Sequence, residues 1–292
     1  LFMRDLHLEI DNYLGERNLL FKRDAVHPFV TNVLLPDNSS FSLFDDRWAC
    51  QRTLIEGIIT SRSGKGESVF ARKCKILVSD IDNLRKFKDF LEKYHFYGNA
   101  KAKYYFGLEY NNGLVAVASF SQSRPLPRNN SCFSCERIKN VPKELNPLYK
   151  NVFNNIPSSL DNCAKQNVIY DKIIMVDSYE WVRYASLPGV RVVGGMGRLL
   201  KEFERRVCRE AENITGRPYE IMSYADLEFS GGDTYKKLGF LECGIRQPVE
   251  FAVIADTYER VPLLRLGQKK EGAILYTFYN LGSLKYIKPY NL

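Results

Sequence analysis

Between Val190 and Glu204 the chain reads VRVVGGMGRLLKEFE: a β-branched run, three glycines within four residues, then an amphipathic stretch. Val190, Val192 and Val193 favour an extended strand. Leu199, Leu200, Phe203, Val207 and Ala211 recur at helical spacing and predict a helix from Gly197 to Glu212. Arg198, Lys201, Arg205, Arg206 and Arg209 fall on its solvated face. A strand that stops at glycines and turns into a helix presents unpaired backbone N–H groups at the positive end of the helix dipole. That is a ready site for an anion. Glycine also removes the Cβ that would hold a phosphate at a distance. The same glycines suit plain close packing of strand on helix, and the segment alone leaves both readings open. The spacing Gly194, Gly195, Gly197 does not meet the G-x-G-x-x-G pattern of dinucleotide-binding turns.

The flanking sequence alternates between helix and strand periodicity. RWACQRTLIEGII predicts a helix over 47–59, and the polar TSRSGKGES that follows lacks phosphate-loop spacing. KCKILVSD predicts a strand over 73–80. IDNLRKFKDFLEKYH predicts a helix over 81–95, with Asp80 as N-cap and Leu84, Phe87, Phe90 and Leu91 on one face. KYYFGLEY and LVAVASFS, joined by Asn111, Asn112 and Gly113, predict a hairpin. Beyond it, YDKIIMVDSYEWVRYAS is extended, YEIMSYAD is a strand, GGDTYKKLGF a short helix stopped by Gly239, and FLECGIRQPVEFAVIAD one or two strands. Residues 1–48 are weakly patterned: LFMRDLHLEIDNYL suits a strand or a short helix, and LLPDNSSFSLFDD a loop. Residues 123–168 are rich in Pro, Asn, Ser and Cys and read as an insertion or lid. The expected class is α/β of the mixed α+β kind. An N-terminal extension spans 1–72, the main domain 73–265, and a C-terminal tail 266–292.

Lysine and arginine number 42 against 34 acidic residues, a net charge of +8. Such a surface attracts phosphate-bearing partners, nucleic acids and nucleotides among them. The excess is spread without a basic block, which equally describes an ordinary solvated surface. Seven cysteines at irregular spacing argue against a disulfide framework and for an intracellular, reducing compartment. Cys132, Cys135 and Cys163 fall short of four zinc ligands, so no metal is expected. No apolar run approaches the ~18 residues of a membrane span, so no membrane partner is expected.

Arg191-Val192-Val193-Gly194-Gly195-Met196, with TYKKLGF some forty residues later, resembles the GNAT superfamily of N-acyltransferases. That family carries an Arg/Gln-x-x-Gly-x-Gly/Ala signature, and Met196 stands where its small residue would be. FLEKYHFYGNAKAKYYFGLEYNNGLVAVASF, YEWVRYASLPGVRVVGGMGRLLK and IMSYADLEFSGGDTYKKLGF resemble a branch of phage-type GNAT-like domains. This branch is akin to Mom-type DNA-modification proteins and is often fused behind a nuclease-like domain. LFDDRW and ESVFARKCKI resemble the junction that precedes the acyltransferase-like domain there. The resemblance covers about residues 45–260.

It implies a GNAT-like fold with a mixed central sheet, an acetyl-CoA or other acyl-CoA donor, and direct transfer to an amine without a covalent enzyme intermediate. It places the donor's pyrophosphate on Arg191, Val192, Val193, Gly194, Gly195, Met196, Gly197 and Arg198. Backbone N–H groups of 180–186 would serve the thioester, and Tyr235 would protonate the departing thiolate. Candidate bases are His95, whose imidazole ordinarily titrates near neutrality, Glu180, and Asp226 just beyond a strand end. Arg183, Arg124 and Tyr224 are candidate acceptor contacts, and Arg128 shares the SRPLPR stretch with Arg124. Glu180 and Arg183 are also candidates for a mutual ion pair. Two other functions remain open: modification of a nucleic-acid base amino group, and a binding module on the same scaffold. Asp11, Glu16 and Asp24 do not form the carboxylate cluster that a nuclease needs.

Overall fold

The computed structural model describes residues 2–36, 38–129, 173–266 and 273–289, a mixed α+β chain. Two compact units divide it, each assembled from separate stretches: 1–120, 182–203 and 249–280 in the first, 121–181, 204–248 and 281–292 in the second. Among the described residues no helix is long and apolar enough to cross a membrane.

In the first unit the described residues of the weakly patterned N-terminus form helices and a sheet. α1 (Phe2–Gly15) packs on α2 (Asp45–Arg62), and an antiparallel sheet of β1 (Leu20–Arg23), β2 (Val30–Leu34) and β3 (Ser40–Phe44) lies between them in sequence. The loop expected around 34–46 is therefore corrected to a hairpin whose Phe41, Leu43 and Phe44 are buried. SFSLF alternates only over its first four residues, the shortest run that periodicity can read as a strand, and it is flanked by turn-forming residues.

The middle of the chain follows its sequence pattern more closely. β5 (Lys75–Val78), β6 (Tyr104–Tyr110) and β7 (Gly113–Phe120) form an antiparallel sheet. Asn111 and Asn112 take the positive φ that a tight hairpin turn requires, +50° and +61°. α3 (Ile81–Tyr94) starts at Asp80, whose carboxylate accepts the Asn83 N–H at 2.7 Å. Its Phe87, Phe90 and Leu91 pack with Tyr105, Val117 and Ala185. β4 (Glu67–Phe70) pairs in parallel with β10 (Val190–Val193). β13 (Glu250–Ile254) lies between β14 (Arg260–Pro262) and β15 (Ile274–Tyr279).

β9 (Ile173–Ser186) has residues in both units. In the first unit its end continues the sheet beyond β7, where Leu187 N–H donates to Val115 O. In the second unit its earlier residues join β11 (Tyr219–Asp226), followed by β16 (Ser283–Pro289) and β12 (Leu241–Arg246). β9 and β11 run parallel, and the other pairs here are antiparallel. The stretch 266–292, expected as a tail, thus supplies β15 and β16, and Leu284, Tyr286 and Ile287 of β16 are buried. The expected insertion begins instead with β8 (Arg124–Asn129), antiparallel to β9. The remainder of that stretch, with Cys132, Cys135 and Cys163, lies outside the described residues.

α4 (Gly195–Phe203) passes into a π-helical stretch, Glu204–Cys208, and then α5 (Arg209–Thr215). The wider turn rotates the face that follows. Cys208 is therefore buried where the 3.6-residue period expected Val207, and Glu204 is buried with Lys288 Nζ 3.0 Å from its carboxylate. Arg198, expected in solvent, donates from its guanidinium to Ala71 O.

Candidate active site

The glycine break is built from three local requirements. Gly194 has φ +78°, a left-handed conformation that ends β10 and starts α4 in one residue. A Cβ built there would find its nearest neighbour, Ala71 Cβ, at 4.0 Å, so the space beside Gly194 is open. Gly195 is different: a Cβ there would lie 2.7 Å from Tyr184 Oη and 2.9 Å from Val192 Cγ1. Packing alone demands the second glycine, while open space and a left-handed turn distinguish the first. The first helical bond runs from Arg198 N–H to Gly194 O at 3.0 Å, so the amides of Gly195, Met196 and Gly197 precede the helical ladder. Arg191, on β10, is exposed beside them in sequence. An open position, three leading amides and an exposed arginine suit a pyrophosphate.

The second unit holds a different piece of chemistry. The parallel ladder of β9 and β11 runs from Tyr219↔Asp177 to Met222↔Glu180. From Ser223 to Asp226, β11 keeps its register with β16. Ser223, the first residue past the parallel ladder, has its Oγ 3.1 Å from Trp181 O and 2.8 Å from Tyr235 Oη. Tyr235 rides on α6 (Asp233–Lys237). Its ring stacks on Tyr286, with centroids 5.3 Å apart and planes at 20°, and meets Trp181 and Phe240 edge-on. Gly232, at φ +83°, leaves the room that the Tyr286 ring fills. Tyr286 in turn donates its hydroxyl to Gly231 O at 2.7 Å. The Tyr235 ring is thus packed against three others, and its hydroxyl meets Ser223. Burial raises its pKa and the Ser223 hydrogen bond opposes that rise, so the phenol keeps its proton at neutral pH.

The three candidate bases are placed differently. His95 ends α3 and its Nδ1 accepts the Tyr97 N–H at 3.1 Å, which leaves the proton of the neutral ring on Nε2. Burial, then the Arg183 and Arg47 guanidiniums, push its pKa down to about 3. The expectation of an imidazole titrating near neutrality is therefore corrected: burial disfavours the charged ring, and two cations nearby add to that penalty. Asp226 uses Oδ1 to accept the Glu228 N–H at 2.9 Å, and its carbonyl accepts from Phe229 and Ser230, so it shapes the turn after β11. Glu180 has its carboxylate 3.7 Å from Arg124 Nη2, an exposed and weak pair. Its N–H donates to Ser121 Oγ at 2.8 Å, which corrects the expectation that this amide serves a thioester.

Arg183 donates to Gly98 O and Val182 O, with its guanidinium 6.0 Å from the Tyr97 ring centre. The Tyr224 ring lies under the Arg246 guanidinium at 5.8 Å. Arg128, read with Arg124 as a possible acceptor contact, instead forms a two-pronged pair with the fully buried Glu220, which Ser178 also contacts. The first unit therefore brings His95 and Arg183 together, and the second brings Glu180 to Arg124. Sequence reasoning missed Ser223 and Trp181, because a serine within a strand carries no signal of what its hydroxyl will meet.

His95 makes a prediction about acid stability. Below pH 6.5 the unfolded chain protonates this histidine while the folded chain resists until about pH 3. Stability should therefore fall with pH through that window, by up to about 1.4 kcal/mol per pH unit from this group alone. His95→Gln should flatten the slope in urea titrations between pH 7 and 4. An unchanged slope would show that the imidazole does titrate in the fold.

No family model matches the sequence, and no curated protein matches it. Solved structures with similarity to the chain include a ribosomal-protein alanine N-acetyltransferase from Escherichia coli, at 11% identity over 75% of this chain and 95% of that one, with a TM-score of 0.34. A histone acetyltransferase-related acetyltransferase from Corynebacterium glutamicum has 12% identity over 75% and 98%, with a TM-score of 0.35. A polyamine N-acetyltransferase from Drosophila melanogaster has 10% identity over 74% and 100%, with a TM-score of 0.32.

Proposed function

We propose that the chain is an acyl-CoA-dependent N-acyltransferase, with acetyl-CoA as the donor to test first. The observation that carries the reading is the turn at Gly194, which stops β10, opens α4, leaves space beside its own Cα and is followed by three amides that precede the helical ladder. The donor supplies an acyl group already activated as a thioester. Gly195, Met196 and Gly197 N–H, aided by Arg191, would hold its pyrophosphate. Tyr235, whose buried phenol keeps its proton, would be the acid for the departing sulfur. The lowered pKa of His95 makes it a weak base near neutrality and favours the other candidates. The acceptor is an amine. The net charge of +8 favours one carried on a polyanion, such as a base amino group in nucleic acid, as a second reading.

Thermal unfolding with acetyl-CoA tests the donor. At about 100 times its dissociation constant a ligand adds roughly 2.7 kcal/mol to the folded state, enough to raise the melting temperature by several degrees. No rise at any concentration, confirmed by calorimetric titration, would overturn the reading. Once an acceptor is found, Tyr235→Phe is expected to lower kcat by about a hundredfold while donor affinity stays nearly constant. Unchanged turnover would remove Tyr235 from the role.

A further inference from the structure

We propose that Ser223 is a positioning residue that sets the acidity of Tyr235 by turning its single hydroxyl proton between Trp181 O and Tyr235 Oη. The proposal rests on the acyltransferase reading for its catalytic consequence and on geometry for the switch itself. Ser223 Oγ lies within hydrogen-bond distance of both oxygens, 3.1 and 2.8 Å, yet a hydroxyl has one proton to donate. While Tyr235 is a neutral phenol, the self-consistent arrangement is a chain: Tyr235 O–H donates to Ser223 Oγ, and Ser223 O–H donates to the Trp181 carbonyl. Once Tyr235 has lost its proton it can only accept, and Ser223 Oγ–H turns to it.

The backbone makes this possible. At Glu180 the parallel ladder between β9 and β11 ends, and Ser223 is the next residue along β11. Its side chain therefore meets the next carbonyl of β9, that of Trp181. α6, entered through the left-handed Gly232, brings Tyr235 to the same hydroxyl. Buried aromatic rings around Tyr235 offer a phenolate no compensation of their own. A donor there is worth more than it would be in water, because the low dielectric strengthens a charge-assisted hydrogen bond.

The step balances as follows. An amine attacks the acyl thioester, the C–N bond forms and the C–S bond breaks with its electron pair leaving on sulfur. The Tyr235 O–H bond breaks and an S–H bond forms, giving the free thiol and a phenolate. The amine's surplus proton passes to solvent, and water returns a proton to Tyr235 for the next turnover. Ser223 neither gains nor loses a proton over the cycle; it changes only the atom to which it donates.

A fluorinated tyrosine placed at position 235, more acidic than tyrosine, brings its titration into a range where the protein stays folded, and its fluorine resonance reports it. The titration should move to higher pH in Ser223→Ala and return towards the parent value in Ser223→Thr, which keeps the hydroxyl. This readout needs neither donor nor acceptor. With unmodified Tyr235, Ser223→Ala should lower kcat about tenfold, as the loss of one hydrogen bond to a charged group would. Its alkaline limb should move to higher pH, KM for the donor should hold, and Ser223→Thr should restore the rate. An unmoved fluorotyrosine titration in Ser223→Ala overturns the proposal, whatever the activity. A titration that moves in a protein that neither binds nor uses any acyl-CoA supports the hydroxyl switch and overturns the acyltransferase reading instead.

Discussion

Gly194→Val is expected to abolish the acetyl-CoA-dependent rise in melting temperature while leaving the protein folded. A β-branched side chain at φ +78° is strained by about 1–3 kcal/mol. That is a fraction of the 5–15 kcal/mol that usually separates folded from unfolded chains. The apo protein should therefore melt a few degrees lower and still unfold cooperatively. The added methyls occupy the open space beside Gly194, where the nearest neighbour is 4.0 Å from the first added carbon, and so stand where a pyrophosphate would approach. Calorimetric titration of the parent and the variant with acetyl-CoA decides the matter. A variant that binds as well as the parent would show that the glycines serve only strand–helix packing.

The largest effect on stability is expected from Asp46→Ala. Asp46 and Arg260 are nearly inaccessible, and Arg260 donates from Nε and Nη2 to the two carboxylate oxygens at 2.7 and 3.0 Å. The guanidinium also lies near the Phe44, Phe251 and Phe278 rings, with Phe278 closest at 4.6 Å. Removing the carboxylate strands a buried cation, which typically costs about 3–5 kcal/mol. The beside-lying pair is of the same kind: burial raises the Asp45 pKa, and His7 Nε2, 2.6 Å away, works against that rise. Urea unfolding should show the loss directly. The double change Asp46→Leu with Arg260→Met should recover much of it, since an apolar pair of similar bulk leaves no charge behind. A loss below about 1 kcal/mol in Asp46→Ala would mean that water or another carboxylate reaches Arg260.

The glycine break was legible because conformational demand is written in residue type. Gly194 has no Cβ to oppose a positive φ, and the valines before it can do little but extend. The Asp80 cap, the paired asparagines of the hairpin turn and the β11 strand were legible for the same reason. β16 was not. Its SLKYIKP breaks alternation at the adjacent Tyr286 and Ile287, and its value as a strand comes from β11 and β12 on its two sides. The π-helical stretch after α4 was also hidden. One wider turn changes which residues are buried without changing any residue's preference, so Cys208 and Glu204 took places that periodicity had assigned elsewhere.

The candidate site divides along the same line. Sequence by itself determined where the backbone must turn and expose its amides, and that a tyrosine follows a glycine pair into a short helix. Local sterics and hydrogen bonding act within a few residues, so local sequence suffices for them. Only the tertiary structure decided the protonation of His95, through its burial and then the guanidiniums at positions 183 and 47, and the partner of Arg260, 214 residues away at Asp46. It also decided that Ser223 would stand between Tyr235 and a carbonyl of β9. Charge, burial and hydrogen-bond partnership belong to groups that meet in space, and their free energies depend on distances that the order of residues along the chain does not contain.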